Sequence, residues 1–112
     1  MAKFFRFADR AVPIRFFEGQ DEITVTLTIS DQTDTAFVRG AELLKAGTES
    51  RDVRRRKELW TEAVDALIGK ENREKILGHS RDQDCFALAE IYRYVVDAYG
   101  EAKVKNLSAS AR

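Results

Sequence analysis

The chain has 112 residues, 44% of them hydrophobic and 34% charged, and its 19 basic and 19 acidic side chains cancel to a formal net charge of zero. This length and composition predict one globular domain that needs no metal or disulfide to hold its core, and the single cysteine excludes an intramolecular disulfide. The balanced charge gives no long-range attraction to nucleic acid or to an anionic membrane. Because the sequence shows no apolar run of signal-peptide or membrane-span length, a cytoplasmic protein is expected.

The first thirty residues predict strands. The apolar residues of one strand alternate with glutamate and threonine, which is the period of a strand with one buried face; they are Ile23, Val25, Leu27 and Ile29. An earlier strand carries Val12, Ile14 and Phe16, and the Glu-Gly-Gln-Asp link at residues 18–21 predicts a hairpin turn between the two. Pro13 cannot donate a ladder hydrogen bond, so a sheet edge is expected there. A further strand from Lys3 to Phe7 would make the sheet three-stranded.

From residue 30 the period of the apolar residues becomes helical. Ser30 or Asp31 is predicted to cap the first helix, and Gly47 is predicted to end it. Thr48 or Ser50 then opens a second helix. The apolar stripe of that helix predicts core residues, Trp60 among them; it consists of Val53, Trp60, Val64, Leu67 and Ile68.

Glycines mark the ends of the next two predicted helices. Gly69 stops the second helix, and Gly78 ends a short third helix over residues 71–77. A fourth helix is predicted to open near Ser80. Its apolar residues form a wide stripe, which indicates burial on more than one side; they are Cys85, Phe86, Leu88, Ile91, Tyr92, Val95, Val96 and Tyr99.

The order of the elements, strands first and helices after, favours an α+β fold over a doubly wound sheet. The predicted architecture is an antiparallel β-hairpin or three-stranded sheet followed by three to four helices. A single domain is expected over residues 1–102. The polar residues 103–112 are expected to form a C-terminal tail that frays.

The sequence predicts neither a catalytic site nor a metal site. His79, Asp82 and Cys85 fall three residues apart, as a nucleophile and its base or part of a metal site could. A structural role is favoured, because His79 follows a helix-ending glycine and free cysteine behaves as a small buried hydrophobe. The six glycines are scattered and form no phosphate-binding loop. We therefore expect a protein that is not an enzyme and that needs no cofactor.

One cluster of positive charge opens the second helix, consisting of Arg51, Arg54, Arg55, Arg56 and Lys57. Such a cluster can hold phosphates, so a small nucleic-acid-binding module is the alternative function. However, Asp52, Glu58 and Glu62 are interleaved with the basic residues, and the two glutamates fall at helical i,i+3 and i,i+4 distances from them. A solvated helix face is the favoured interpretation, and nucleic acid is not the expected partner.

The phenylalanines give the best indication of a binding surface. Five of them lie within the first seventeen residues, namely Phe4, Phe5, Phe7, Phe16 and Phe17. Adjacent residues of a strand point to opposite faces of the sheet, and the helices of one domain readily cover one face. The other aromatic side chains then need a second protomer, a partner or the chain's own tail; the alternative is that the monomer covers both faces. We predict that these residues bind a partner and that the chain self-associates through its N-terminal strands.

The pattern of helix starts and breaks from Asp31 to Ala102 carries a resemblance. An acidic helix start, Asp-Gln-Thr-Asp at residues 31–34, leads to a helix that ends in Asp-Ala-Leu-Ile-Gly at residues 65–69. A short helix ends in Glu-Lys-Ile-Leu-Gly at residues 74–78, and a helix with a Cys-Phe start and three further apolar residues follows: Tyr92, Tyr94 and Val95. In these features the chain resembles a family of small tail proteins encoded by phages and prophages of Gram-positive bacteria.

The resemblance implies a tail assembly chaperone or a similar tail morphogenesis factor, working in the cytoplasm of a bacterial host cell. Such proteins are thought to coat the tape-measure protein and to bring tail-tube subunits to it. The family has no catalytic residues, so none is carried over to this chain. The basic cluster at residues 51–57 and the long N-terminal strand region are not features of that family.

Overall fold

A computed structural model describes residues 10–18, 20–81 and 84–110. The elements in chain order are β1 (Ala11–Glu18), β2 (Asp21–Thr28), α1 (Asp31–Glu49), α2 (Val53–Ile68), α3 (Lys70–Arg81) and α4 (Cys85–Ser110). The strands form a two-stranded antiparallel sheet, which with the four helices confirms the predicted α+β class. The third strand predicted at residues 3–7 lies outside the described residues, together with Phe4, Phe5 and Phe7.

The β-hairpin buries one of its two faces. Its register pairs Val12 with Leu27 and Ile14 with Val25. Three of these four side chains are buried and Leu27 is half-buried, whereas the threonines that alternate with them on β2 are exposed. The predicted alternation is therefore confirmed, and the buried face rests on α3 and α4.

Helix α1 begins where the sequence predicts and ends later. The Ser30 hydroxyl accepts a hydrogen bond of 3.2 Å from the backbone N–H of Thr33 and caps the helix. The prediction that Gly47 ends α1 is wrong, because the helix continues to Glu49 and Gly47 is buried within it. Helix α2 is capped by Asp52, which accepts from the backbone of its first turn, and not by the predicted Thr48 or Ser50.

The glycines after α2 set two changes of chain direction. Gly69 ends α2 with a φ of 86°, as predicted, and Gly78 has a φ of 65° that kinks α3 before its end. The predicted start of the fourth helix near Ser80 is wrong, since α4 begins at Cys85, where the Asp84 carboxylate accepts a hydrogen bond of 2.9 Å from the Phe86 N–H. The helix then continues past the domain boundary predicted at residue 102, as far as Ser110.

The hydrophobic core lies between the hairpin, α2, α3 and α4. Its most deeply buried large side chains are Ile14, Val64, Leu88 and Val95. Trp60 is half-buried against this core, and Phe37 of α1 stacks on Tyr99 of α4 with ring centroids 4.4 Å apart. Two residues of the predicted apolar stripes do not join the core, because Val53 is 65% exposed and Phe86 is 80% exposed.

No helix among the described residues combines the length and the apolar character that a membrane crossing requires.

Candidate protein-binding site

The adjacent aromatic residues of β1 divide between the two faces of the hairpin. Phe16 lies on the face that meets α4, and its ring contacts that of Tyr94 edge to face with centroids 5.2 Å apart. Phe17 pairs with Glu22 on the other face and is 68% exposed. The sequence predicted this division for Phe16 and Phe17, and it leaves one large aromatic side chain in solvent at the end of the strand.

Helix α4 turns a row of side chains outward beside this strand. Phe86, Glu90 and Tyr94 follow each other at intervals of four residues, so they lie on one face of the helix and form what we call the α4 ridge. All three are exposed. The Tyr94 hydroxyl donates a hydrogen bond of 3.1 Å to the carbonyl oxygen of Arg15, which fixes this end of the ridge to β1.

A recess lies on each side of the α4 ridge. The β1 recess has a volume of about 670 Å³ and is lined by Arg15, Phe16, Phe17, Glu90, Ile91 and Tyr94. The α2 recess has a volume of about 420 Å³, and its lining includes Leu44, Trp60, Phe86, Glu90, Tyr92 and Arg93. Glu90 lines both recesses, so the two form one continuous surface divided by the ridge.

The chemistry of this surface is aromatic with a charged rim. Arg15 is held at its edge by an ion pair of 3.3 Å to Glu22, and Glu90 and Arg93 add one charge of each sign. Aromatic side chains bordered by charged groups are typical of the centre and rim of protein–protein interfaces. The arrangement can accommodate apolar side chains of another protein.

Two members of the basic cluster, Arg55 and Arg56, are engaged in contacts within the fold. The guanidinium of Arg56 donates hydrogen bonds of 3.2 Å to the Gly47 carbonyl and 2.8 Å to the Ser50 carbonyl, and so satisfies the free carbonyls at the end of α1. It also lies 6.0 Å from the centroid of the Trp60 ring. Arg55 forms an ion pair of 3.1 Å with Glu58.

The remaining basic side chains lie among acids. A recess of about 370 Å³ on α2 is lined by Arg54, Lys57, Glu58, Thr61 and Glu62. Two carboxylates in the lining oppose the approach of a phosphate. Arg51 is exposed in the turn before α2. The five predicted nucleic-acid-binding residues therefore do not form one uniformly basic surface.

Within residues 10–18, 20–81 and 84–110 no group of three or more histidine, cysteine, aspartate or glutamate side chains could hold a metal ion. Cys85 is a free, half-buried cysteine in the first turn of α4. The His79 side chain and Asp82, which the sequence places near it, lie outside what the structure describes.

The α4 ridge is not predicted by the sequence. The predicted buried stripe of the fourth helix contains Phe86, whereas the structure exposes that ring. The available signal was the spacing of Phe86 and Tyr94, eight residues apart with Glu90 between them, since two aromatic residues that share a helical face with a charge mark a partly solvated face.

Comparisons of the chain with protein-family models, with curated proteins and with solved structures found no match.

Proposed function

We propose that the chain is a non-enzymatic protein-binding factor that holds its partner on the α4 ridge and in the two recesses beside it. The observation that supports this proposal is the exposure of three aromatic side chains on one continuous surface, Phe17 at 68%, Phe86 at 80% and Tyr94 at 48%. Large exposed apolar patches are uncommon on monomers and mark interaction sites. Aromatic side chains also supply much of the binding energy at interfaces.

The geometry of the ridge suits a partner that presents apolar side chains in a row. The hydrogen bond from Tyr94 to the Arg15 carbonyl joins the ridge to the sheet, so little ordering is required of that end of the surface on binding. The recesses differ in lining, with Phe17 exposed in one and Trp60 half-buried in the other. A partner helix or extended segment that carries apolar side chains along two sides would place them in both recesses.

The biological role that we propose is that of a phage tail assembly chaperone or tail morphogenesis protein, acting in the bacterial cytoplasm. It is supported by the resemblance of residues 31–102 to small phage tail proteins. The proposed partner is the tape-measure protein or a tail-tube protein, and many copies of the chain would line an extended client. Self-association through the N-terminal strands is part of this proposal.

The test is co-expression with the tape-measure protein encoded nearest to this chain in its own genome. We expect the client to remain soluble and to co-purify with the wild-type chain. The double variant Phe17→Ser/Phe86→Ser should lose the client. The matched control Val53→Ser/Val104→Ser removes two apolar side chains of similar exposure, 65% and 64%, and should retain it.

Two outcomes would overturn different parts of the proposal. If the wild-type chain fails to co-purify with tape-measure and tail-tube proteins alike, the phage role is wrong. If both double variants retain the client equally, the α4 ridge is not the binding surface. Circular dichroism of each variant establishes that the fold is intact.

A further inference from the structure

The register of the hairpin determines which backbone groups face away from it. The N–H of Ile29 donates a hydrogen bond of 2.9 Å to the carbonyl of Arg10, so the backbone groups of these two residues point toward each other across the hairpin. In an antiparallel ladder the residues that bond across the pair alternate with residues whose N–H and C=O point outward. With the observed register, the outward groups belong on β1 to Ala11, Pro13, Arg15 and Phe17, and on β2 to Glu22, Thr24, Thr26 and Thr28.

Two side-chain hydrogen bonds agree with this assignment. The Tyr94 hydroxyl reaches the carbonyl of Arg15, and the Thr33 hydroxyl reaches the carbonyl of Thr28. Both carbonyls are among those assigned to the outer edges. The alternation of ladder bonds therefore holds at both edges of the hairpin.

The outer edge of β1 is closed to a further strand. Pro13 has no N–H to donate, and it occupies an outward position of that edge. The Arg15 carbonyl is already bonded to Tyr94, and α4 packs against β1. The edge predicted at Pro13 is thus the poorer of the two edges for pairing with another chain.

Among the residues that the structure describes, none pairs with the centre of the outer edge of β2. Thr24 and Thr26 are exposed, and no described residue outside the hairpin forms a hydrogen bond with their outward backbone groups. Between Glu22 and Thr28 the strand contains no proline, lysine or other charged residue, although these are the residues that normally protect an edge from pairing. On the buried face of the same strand, Ile23 and Leu27 are half-exposed.

We propose that β2 pairs antiparallel with β2 of a second copy of this chain, about a two-fold axis at Val25. The product is a continuous four-stranded sheet in the order β1–β2–β2–β1. A strand that pairs antiparallel with itself satisfies two-fold symmetry, which is the commonest symmetry of protein dimers. The outward N–H and C=O groups of Thr24 then bond those of Thr26 in the other chain and the reverse, while the Thr28 carbonyl stays bonded to Thr33 of its own chain and marks the end of the ladder.

The side chains select this register over its neighbours. With the axis at Val25, that residue faces its own copy and Ile23 faces Leu27, so the half-exposed apolar side chains of each chain are covered by the other. On the outer face Thr24 meets Thr26 and Glu22 meets Thr28, which brings no like charges together. A shift by two residues toward the end of the strand removes the contact of Ile23 with Leu27 and brings Asp21 toward Asp31.

This inference rests on the self-association in the proposed function and names the strand that carries it, but it does not depend on the α4 ridge, because β1 lies between the β2 edge and α4. The α4 ridge therefore remains accessible in the dimer, with one ridge beside each outer strand. A two-fold dimer carries two such surfaces. It would hold two segments of one client or two clients at once.

The first experiment measures molar mass by light scattering from micromolar to near-millimolar concentrations. We expect the wild-type chain to reach the mass of two chains. Thr24→Lys/Thr26→Lys places like charges opposite each other and should weaken the dimer by about tenfold or more. The control Gln32→Lys/Ala41→Lys adds the same charge at exposed sites of α1 and should dimerise like the wild type.

The second experiment tests the register by disulfide formation in a Cys85→Ala background. A mixture of Thr24→Cys chains and Thr26→Cys chains should cross-link several times faster than either variant alone, because these positions face each other across the axis. A wild-type chain that is monomeric throughout the concentration range overturns the proposal. A dimer that the lysine pair leaves unchanged, or a mixture that cross-links no faster than its components, overturns it as well.

Discussion

The indole of Trp60 in α2 covers the backbone of Gly47 in α1, so closely that a Cβ at position 47 would lie 2.5 Å from Trp60 Nε1. The same nitrogen donates a hydrogen bond of 3.1 Å to the Leu44 carbonyl, one turn earlier in α1. Arg56, one turn before Trp60, bonds the Gly47 carbonyl itself. The packing of α1 on α2 thus depends on the absence of a side chain at one position.

Replacement of Gly47 by alanine should therefore destabilise the fold. We expect Gly47→Ala to lower the free energy of unfolding by about 1–3 kcal/mol, because the indole must move and its hydrogen bond is strained. Gly100 in α4 has open space around the position of a Cβ, so Gly100→Ala should raise the free energy of unfolding by about 0.5–1 kcal/mol through helix propensity. Urea denaturation measures both, and effects of the same sign would contradict the role given to Trp60.

An ion pair between α2 and α3 should matter far more than one on the surface. Arg73 is 5% exposed, and its Nε lies 2.5 Å from the Asp65 carboxylate, which is 27% exposed. Asp65→Ala should lower the free energy of unfolding by about 2–4 kcal/mol, because it removes the carboxylate from a buried guanidinium. The control is Glu74→Ala, which breaks the exposed pair with Lys70 and should change stability by about 0.5 kcal/mol or less. Similar losses in the two variants would contradict this prediction.

Asp34 connects the first turn of α1 to the second half of α4. Its carboxylate accepts hydrogen bonds of 2.9 Å from Lys103 and of 3.0 Å from the Tyr99 hydroxyl. The bond from Lys103, followed by that from Tyr99, lowers the pKa of Asp34 from 3.8. Burial, followed by the hydrogen bond to Asp34, raises the pKa of Tyr99 to about 12.

These shifts predict a loss of stability at both extremes of pH. The contribution of Asp34 is fully present above its unfolded pKa of 3.8 and is lost as the pH falls through its lower folded pKa. The contribution of Tyr99 is present below its unfolded pKa of 10.0 and is lost as the pH rises through about 12. Asp34→Asn should reduce both dependences, while burial still keeps the pKa of Tyr99 above its unfolded value.

Carbon-13 NMR titration of the Tyr99 ring, together with urea denaturation across the acid range, measures these effects. Asp31→Asn is the matched control, since it removes the same charge from the same helical turn without touching Tyr99 or Lys103. An Asp34→Asn chain that titrates like the wild type would show that this contact does not hold α4 in solution.

The two adjacent phenylalanines of β1 should differ in how much their substitution destabilises the fold. Phe16→Ser should lower the free energy of unfolding by about 2–4 kcal/mol, because the ring is packed between the core and Tyr94. Phe17→Ser should change it by about 0.5 kcal/mol or less, since the ring is largely exposed. Thermal or urea denaturation distinguishes them, and a large loss at Phe17 would mean that the ring is covered within one chain.

The basic cluster should not confer nucleic-acid binding. Fluorescence anisotropy with duplex DNA and RNA at physiological salt is expected to show no binding at micromolar concentrations, because Glu58 and Glu62 lie among the basic side chains and Arg56 bonds the end of α1. Micromolar or tighter binding that Arg51→Glu/Arg54→Glu abolishes would contradict this and favour the alternative function. Both substituted residues are exposed, so the variant should retain its fold.

Short sequence patterns predicted those features of the fold that depend on a residue and its immediate neighbours in the chain. The alternation around Val25 identified β2, Ser30 capped α1, and Gly69 ended α2 with a positive φ. In each case the residue's own backbone or side chain determines the result. The division of Phe16 and Phe17 between faces followed for the same reason.

The predictions that were wrong concern positions whose structure depends on packing against residues distant in the chain. Gly47 has the character of a helix terminator, but Trp60, thirteen residues later, packs on it and α1 continues. Phe86 has the character of a core residue, and yet α4 turns its ring to solvent. The α4 ridge could not be predicted, because it depends on how α4 sits against β1 and α2, and no local pattern contains that geometry.

The hydrogen bonds that fix α1 to α2 close short loops, whereas those that fix α4 close long ones. Arg56 reaches Gly47 across nine residues and Trp60 reaches Leu44 across sixteen, but Lys103 reaches Asp34 across sixty-nine and Tyr94 reaches Arg15 across seventy-nine. Long loops cost more entropy to close and form later. We therefore expect the α1–α2 hairpin to assemble first on the folding pathway and α4 to dock last. The helix that carries the α4 ridge is then also the first to separate from the rest of the fold. Partner binding should therefore slow amide hydrogen exchange more in α4 than in any other helix.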